Sequence, residues 1–249
     1  MEILKNGELK SQIRDYWGKR AHDFSALRKH ELHSPMAERW EEEILPFIPE
    51  NRDIQILDIG TGSGFFAVLL AKIGYRNVTG IDLTENMIRE ARETARMEEL
   101  QVQPTFLVMD AENTDFPDEN FDLILTRNLT WTLPHMSDAY REWHRILKRG
   151  GLLLNFDGNY GEEDEKEEKL LPKEHAHKNL REDLKLQHRR ITESLPGSHM
   201  KRPASDLQML QDCGFSKITV DFGLSGRIYK EVDEFYNPVP MFALQCRKR

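Results

Sequence analysis

The chain has 249 residues, 39% of them hydrophobic and 31% charged, with a formal net charge of −8. A chain of that length can bury a full core in one domain with a small appended segment, and its acidic balance argues against a nucleic-acid backbone as partner, which needs a basic footprint. No apolar run approaches the ~20 residues of a membrane span, and Cys213 and Cys246 form no CxxC pair; with no secretory h-region, the expectation is a cytoplasmic protein without membrane, nucleic-acid or metal partners.

Residues 1–50 are too long for a simple tail and are expected to form an N-terminal helical cap. Ser11–Leu27 is predicted helical, softened at Gly18, with Ile13, Tyr16, Trp17, Ala21 and Phe24 as its apolar positions. Met36–Phe47 follows as a second amphipathic helix, with Glu41, Glu42 and Glu43 on its wet side. Ile54–Ile59 is then a short apolar run without helical period, which reads as a buried strand. It leads into Asp58-Ile59-Gly60-Thr61-Gly62-Ser63-Gly64, after which a helix is predicted over Phe65–Ile73, stopped by Gly74. A second strand, Asn77–Ile81, ends on Asp82. A β-α-β unit whose glycine turn opens a helix brings backbone N–H groups close to a ligand.

The glycine spacing narrows that ligand. A dinucleotide fingerprint would need glycine where Phe65 stands. Asp-x-Gly-x-Gly-x-Gly instead resembles motif I of the class I S-adenosylmethionine-dependent methyltransferases, in particular their small-molecule type 11 members. The resemblance implies S-adenosylmethionine as cofactor and S-adenosylhomocysteine as its product. It implies an α/β fold: a doubly wound, seven-stranded, mostly parallel sheet, with the N-terminal cap and an inserted helical lid. Asp58 would act on the ligand's ammonium, directly or through water, beside Gly60, Thr61, Gly62 and Gly64. Asp82, ending strand two, would take the ribose hydroxyls, as the same placement does in nicotinamide enzymes. Leu83 and Met87 would belong to the cofactor site, Met87 against the adenine; after a third strand (Thr105–Met109), Asp110 would bind the adenine amino group, with Ala111 and Glu112 beside it in the cofactor site. N-terminal helices in this family close over the cofactor and form part of the substrate pocket, which brings forward Tyr16, as a cofactor-binding residue along with Asn128, and Trp17.

A fourth strand, Phe121–Thr126, ends in Arg127-Asn128-Leu129-Thr130-Trp131. Asn128 offers donor and acceptor at the crevice, and Trp131 offers a large face to the acceptor or to the cofactor's methionine end. This is not Asn-Pro-Pro-Tyr, the signature of amine methylation on adenine or glutamine in related enzymes. A helix is predicted over Met136–Leu147 with Ser137 as its cap, then a tight turn at Lys148–Gly151 and a fifth strand, Leu152–Phe156. Asp157 and Tyr160 follow that strand on the substrate side. From 161 to about 202 the composition shifts: an acidic run over Gly161–Lys169, then mixed charge with His175, His177 and His188, and a thin stripe of Leu180, Leu184, Ile191 and Leu195. This reads as an inserted helical segment with a solvated face. A helix over Pro203–Gly214 capped by Ser205, and strands Lys217–Phe222 and Phe242–Arg247, complete a methyltransferase domain spanning 51–249.

The function expected is methyl transfer to a small-molecule acceptor that the sequence does not name. Tyr16, His22, Asn128, Asp157 and Tyr160 are the candidates for a general base. A nicotinamide-dependent oxidoreductase and a non-catalytic S-adenosylmethionine-binding protein stand as alternatives, and the oligomeric state is open.

Overall fold

The computed structural model describes residues 6–160 and 180–249. Seven strands form one sheet in the order β3-β2-β1-β4-β5-β7-β6. In chain order these are β1 (Gln55–Ile59), β2 (Asn77–Asp82), β3 (Thr105–Val108), β4 (Phe121–Arg127), β5 (Leu147–Gly158), β6 (Phe215–Asp221) and β7 (Met241–Lys248). The first five run parallel, while β7 runs antiparallel between β5 and β6. This is the doubly wound sheet expected. The chain reverses its direction of travel across the sheet between β1 and β4, and ligands bind outside the carboxyl ends of strands at such a point.

The strands read as continuous apolar runs because both faces are covered. On one face Ile56, Leu123, Leu125, Leu152 and Leu154 pack under α2 (Pro35–Ile44), α3 (Phe65–Lys72) and α4 (Glu85–Met97). On the other, Leu57, Ile59, Ile124 and Leu153 pack under α5 (Met136–Ile146) and, after α6 (Glu182–Ser194), α7 (Ala204–Asp212). Buried residues occupy every side of α3 from Phe65 to Ala71, so this helix has no wet face and sits wholly inside.

Several local expectations change. The first helix, α1, runs unbroken over Asn6–Leu32. Gly18 does not soften it; its carbonyl accepts a 2.8 Å hydrogen bond from Asn86 Nδ2 of α4, and a Cβ there would lie 3.5 Å from that nitrogen. That is ordinary contact, so the helix simply continues through this position. Ser137 lies inside α5, which starts after His135 without a side-chain cap, and Ser205 likewise lies inside α7. Lys148–Gly151 belongs to β5, whose pairing with β4 shifts register between Phe121 and Leu123. A short helix, α8 (Leu224–Ile228), interrupts the loop expected between the last two strands. The acidic run 161–169, His175 and His177 lie outside the described residues. Among the described residues no helix is long and apolar enough to cross a membrane, and no cluster of His, Cys, Asp or Glu is arranged to hold a metal.

Candidate functional site

The turn after β1 is built by hydrogen bonds that its own sequence supplies. Thr61 N–H donates to Ile81 O of β2 at 2.9 Å, and Gly64 N–H to Thr61 O at 2.8 Å. Gly60, Gly62 and Gly64 have φ of 67°, 53° and 89°, the left-handed region that side chains disfavour. Asp58 sits beneath this turn, 2% exposed. One of its oxygens accepts from Thr61 Oγ1 at 2.6 Å and from Ala67 N–H, at the start of α3, at 3.1 Å. Burial pushes its carboxyl up to about 7, against the pull of those two donors. Asp58 does not line the cavity beside the turn. Through these bonds it ties the turn to the start of α3.

Gly60 and Gly62 open onto a cavity of about 630 Å³ that runs across the carboxyl ends of β1, β2, β3 and β4. Asp82 lines it at the end of β2. One carboxylate oxygen accepts Gly62 N–H at 3.1 Å; the other accepts Thr84 N–H at 2.9 Å and the Thr84 hydroxyl at 2.8 Å. Burial raises its pKa against these bonds. Asp82 thus ties the turn to the start of α4 while presenting its carboxylate to the cavity. Leu83, Met87, Asp110 and Ala111 line the same end. Glu112 does not: it is 8% exposed, one oxygen accepting His135 N–H at 2.8 Å and the other facing Lys10 Nζ at 2.6 Å. Lys10 of α1 also reaches Asp110 at 2.6 Å, so the first helix is clasped to the end of β3 by two ion pairs.

At the end of β4, Asn128 adopts φ 55° and lines the cavity. Its Oδ1 accepts from the Tyr160 hydroxyl at 2.7 Å, and that hydroxyl accepts from Asn237 Nδ2 at 2.7 Å. Trp131 is 7% exposed, stacked at a tilt on Tyr160 with ring centroids 5.0 Å apart, and lines the cavity as well. It is at once a core residue and a wall.

Three base candidates fall elsewhere. Tyr16 is 1% exposed, packed edge-on against Trp17 and approached by Arg20, and it is Trp17 that meets the cavity. His22 faces solvent, with Glu90 at 3.8 Å. Asp157 is fully buried in a network away from the cavity: it accepts from the Thr130 hydroxyl, from Trp131 N–H at 3.1 Å and from Arg202 at 3.0 Å. Arg202 is also held by Asp206, 2.9 Å from its Nε, and Asp206 accepts from the Tyr140 hydroxyl at 2.6 Å.

The cavity has walls that sequence reasoning did not single out. Arg28 and Arg127 line it, both paired with Glu31, Arg127 in a bidentate contact of 3.0 and 2.9 Å. Phe235 and Tyr236 close one side from the 229–239 loop, and His188 enters from α6. A signal for His188 was present: Leu184, His188, Ile191 and Leu195 follow a 4-3-4 spacing, which puts the histidine on the buried stripe of a helix. Phe65, at the position a dinucleotide turn gives to glycine, packs on Phe66 and under the Arg127 guanidinium.

Residues 57–155 match the family described as the methyltransferase domain. A demethylmenaquinone methyltransferase of Bacteroides fragilis is 26% identical over 150 residues, 60% of this chain and 61% of that protein. A ubiquinone/menaquinone biosynthesis C-methyltransferase of Rickettsia massiliae is 33% identical over 137 residues, 53% of this chain and 52% of that one. The chain thus spans between half and two thirds of the length of these relatives. A Methanosarcina mazei structure described as an S-adenosylmethionine-dependent methyltransferase superposes with a TM-score of 0.56 at 24% identity, covering 83% of this chain and 96% of that one. Sheet order and turn chemistry agree with that match: residues 57–155 carry the pattern of the methyltransferase domain, and the fold is the one seen in the structure described as an S-adenosylmethionine-dependent methyltransferase.

Proposed function

We propose that the protein transfers a methyl group from S-adenosylmethionine to a small-molecule acceptor. The observation that carries this reading is one continuous cavity. It joins the glycine turn and Asp82 to Asn128, Tyr160 and the helical walls. Its volume of about 630 Å³ lies within the range of roughly 300–1,000 Å³ that small-molecule sites occupy.

The residues fit the cofactor. Gly60 and Gly62 present backbone without side chains, Asp82 presents a carboxylate for the ribose, and Leu83, Met87 and Ala111 offer an apolar slot for the adenine, with Asp110 at its edge. Asn128 stands where the methionine end would lie. When bound, the cofactor supplies an activated methyl on a sulfonium, so the protein's own task is alignment and exclusion of water. Trp17, Trp131 and Tyr160 wall the region where the acceptor would be held. On this reading residues 1–50 are a cap, 161–202 a lid bearing α6, and 51–249 the methyltransferase domain. The support is that α1 and α6 both contribute side chains to the cavity.

The test is calorimetry with S-adenosylhomocysteine. Asp82→Ala removes a charged partner of both ribose hydroxyls and should cost about 2–4 kcal/mol of affinity. Unchanged affinity in that variant, or retention of NAD in preference, refutes the assignment.

A further inference from the structure

A side-chain amide offers a ligand a donating face and an accepting face, and shape alone does not say which points outward. At Asn128 a relay of hydrogen bonds decides it. Val239 N–H, a backbone group that can only donate, bonds to Asn237 Oδ1 at 3.1 Å. That leaves Asn237 Nδ2 as a donor, and it reaches the Tyr160 hydroxyl at 2.7 Å. The hydroxyl oxygen accepts in that bond, so its hydrogen goes on to Asn128 Oδ1, again at 2.7 Å. Asn128 thus turns its carbonyl to Tyr160. Its Nδ2, with two N–H groups, has no partner among the described residues and stays open to the cavity that the residue lines.

Donors are what the neighbouring turn has already spent. Thr61 N–H is given to Ile81 O, Gly62 N–H to Asp82 and Gly64 N–H to Thr61 O. The cations of the cavity are engaged as well: Lys10 with Asp110 and Glu112, Arg28 and Arg127 with Glu31, Lys185 with Glu182. Arg189 is exposed on α6. Asn128 stands beside the turn, since the side chain of its neighbour Leu129 lies against Gly60, where a Cβ would come within 2.8 Å of it. The methionine end of the cofactor is a zwitterion. Its ammonium only donates hydrogen bonds and its carboxylate only accepts them, so two free N–H groups suit the carboxylate.

Resting on the methyl-transfer reading above, we propose that Asn128 holds the carboxylate of the cofactor through its Nδ2 hydrogens, and that Tyr160 and Asn237 are positioning residues that keep those hydrogens facing it. The ring of Tyr160 keeps its place in the cavity wall; its hydroxyl alone enters the relay.

Asn237→Asp keeps the shape of the side chain and reverses the relay. Both oxygens of the introduced carboxylate accept, so Tyr160 turns its hydrogen toward them, and Asn128 gives Nδ2 to Tyr160 and its carbonyl to the cavity. The readout is calorimetry with S-adenosylhomocysteine and with decarboxylated S-adenosylhomocysteine, which keeps the ammonium. Affinity for the first should fall about 10-fold or more, the worth of a hydrogen bond to a charged group, and affinity for the second should hold within about 2-fold. In an Asn128→Ala background, Asn237→Asp should change S-adenosylhomocysteine affinity by less than about 2-fold, because the relay has lost its last member. A loss that persists there is repulsion by the new charge and overturns the proposal. Tyr160→Phe adds no charge and serves if Asn237→Asp does not fold. It frees the amide to turn, so about half the molecules face the wrong way and S-adenosylhomocysteine alone binds about 2-fold more weakly. Unchanged or tighter S-adenosylhomocysteine binding in these relay variants, or equal loss for both ligands, overturns the proposal too. Failure of S-adenosylhomocysteine to bind the wild type overturns the underlying reading, and is seen before any variant is made.

Discussion

Replacing Arg202 by Met tests whether the buried polar network under β5 is structural. Arg202, Asp157 and Asp206 have side chains with no exposure, and the guanidinium lies 3.0 Å from one carboxylate and 2.8 Å from the other. The thioether side chain fills much of the same volume but leaves two buried carboxylates facing each other without a counter-ion. Breaking a buried pair in this way costs about 3–5 kcal/mol. For a domain of this size each kcal/mol shifts the midpoint by roughly 2–4 °C, so Tm should fall by about 6–20 °C. Asp157→Asn should cost less, about 1–3 kcal/mol, because Arg202 keeps Asp206. Thermal melts with and without S-adenosylhomocysteine read both effects, and the ligand affinity of the folded variants should match wild type, since none of the three residues lines the cavity. Melting of either variant within a degree or two of wild type would refute the structural role. It would also return Asp157 to the base candidates.

Trp131→Ala removes a side chain that is both packed and cavity-lining, so about 3–5 kcal/mol of stability should go together with turnover. A melt unchanged by that substitution would contradict its burial. Gly64→Ala places a Cβ 3.1 Å from Ala91 and 3.2 Å from Phe106 at φ 89°, and should lower stability by about 1–2 kcal/mol or more. Denaturant titration gives that number directly. Burial, with the positive charge of Arg20 added, pushes the pKa of His188 down to about 4. The unfolded chain binds the proton more readily, so stability is lost as pH falls from about 6.5 to about 4. The loss is on the order of 3 kcal/mol at most, and His188→Gln should flatten that part of the stability–pH curve relative to wild type.

The β-α-β unit and its turn were legible because their determinants are local. Apolar runs, glycine spacing and an acid at the end of β2 lie within thirty residues, and each reports on its own backbone. Side-chain direction was less legible. Tyr16 and Trp17 are neighbours on one helix, about 100° apart, and only the packing of α1 on α4 and α6 decides which meets the cavity. Asp157 was placed correctly at the end of β5. Its partner Arg202 is 45 residues away, and nothing local announces that an arginine will come back to neutralise it. Asp58 shows a third case. An acid beside a glycine turn suits a ligand or a helix start equally well on sequence, and the 3.1 Å bond from Ala67 N–H, which ties it to the helix, is visible only in the fold.

The family match ends at residue 155, and that boundary separates two kinds of information. The glycine turn, Asp82, Asp110 and Asn128 fall within it, and they are the residues the proposed function assigns to the cofactor. Trp17, Phe24 and Arg28 lie before it, and Tyr160, His188 and the 229–239 loop after it. Those are the walls the same proposal leaves for the acceptor. Those on α1 hang on a segment held by side-chain ties: Lys10 to Asp110, Asn86 to Gly18, Arg127 to Glu31. Such ties can change one at a time without disturbing strand pairing. The acceptors named for relatives that align over about half of this chain therefore carry little weight here. The chemistry of its own outlying walls, with His188 among them, is the better guide to what it methylates.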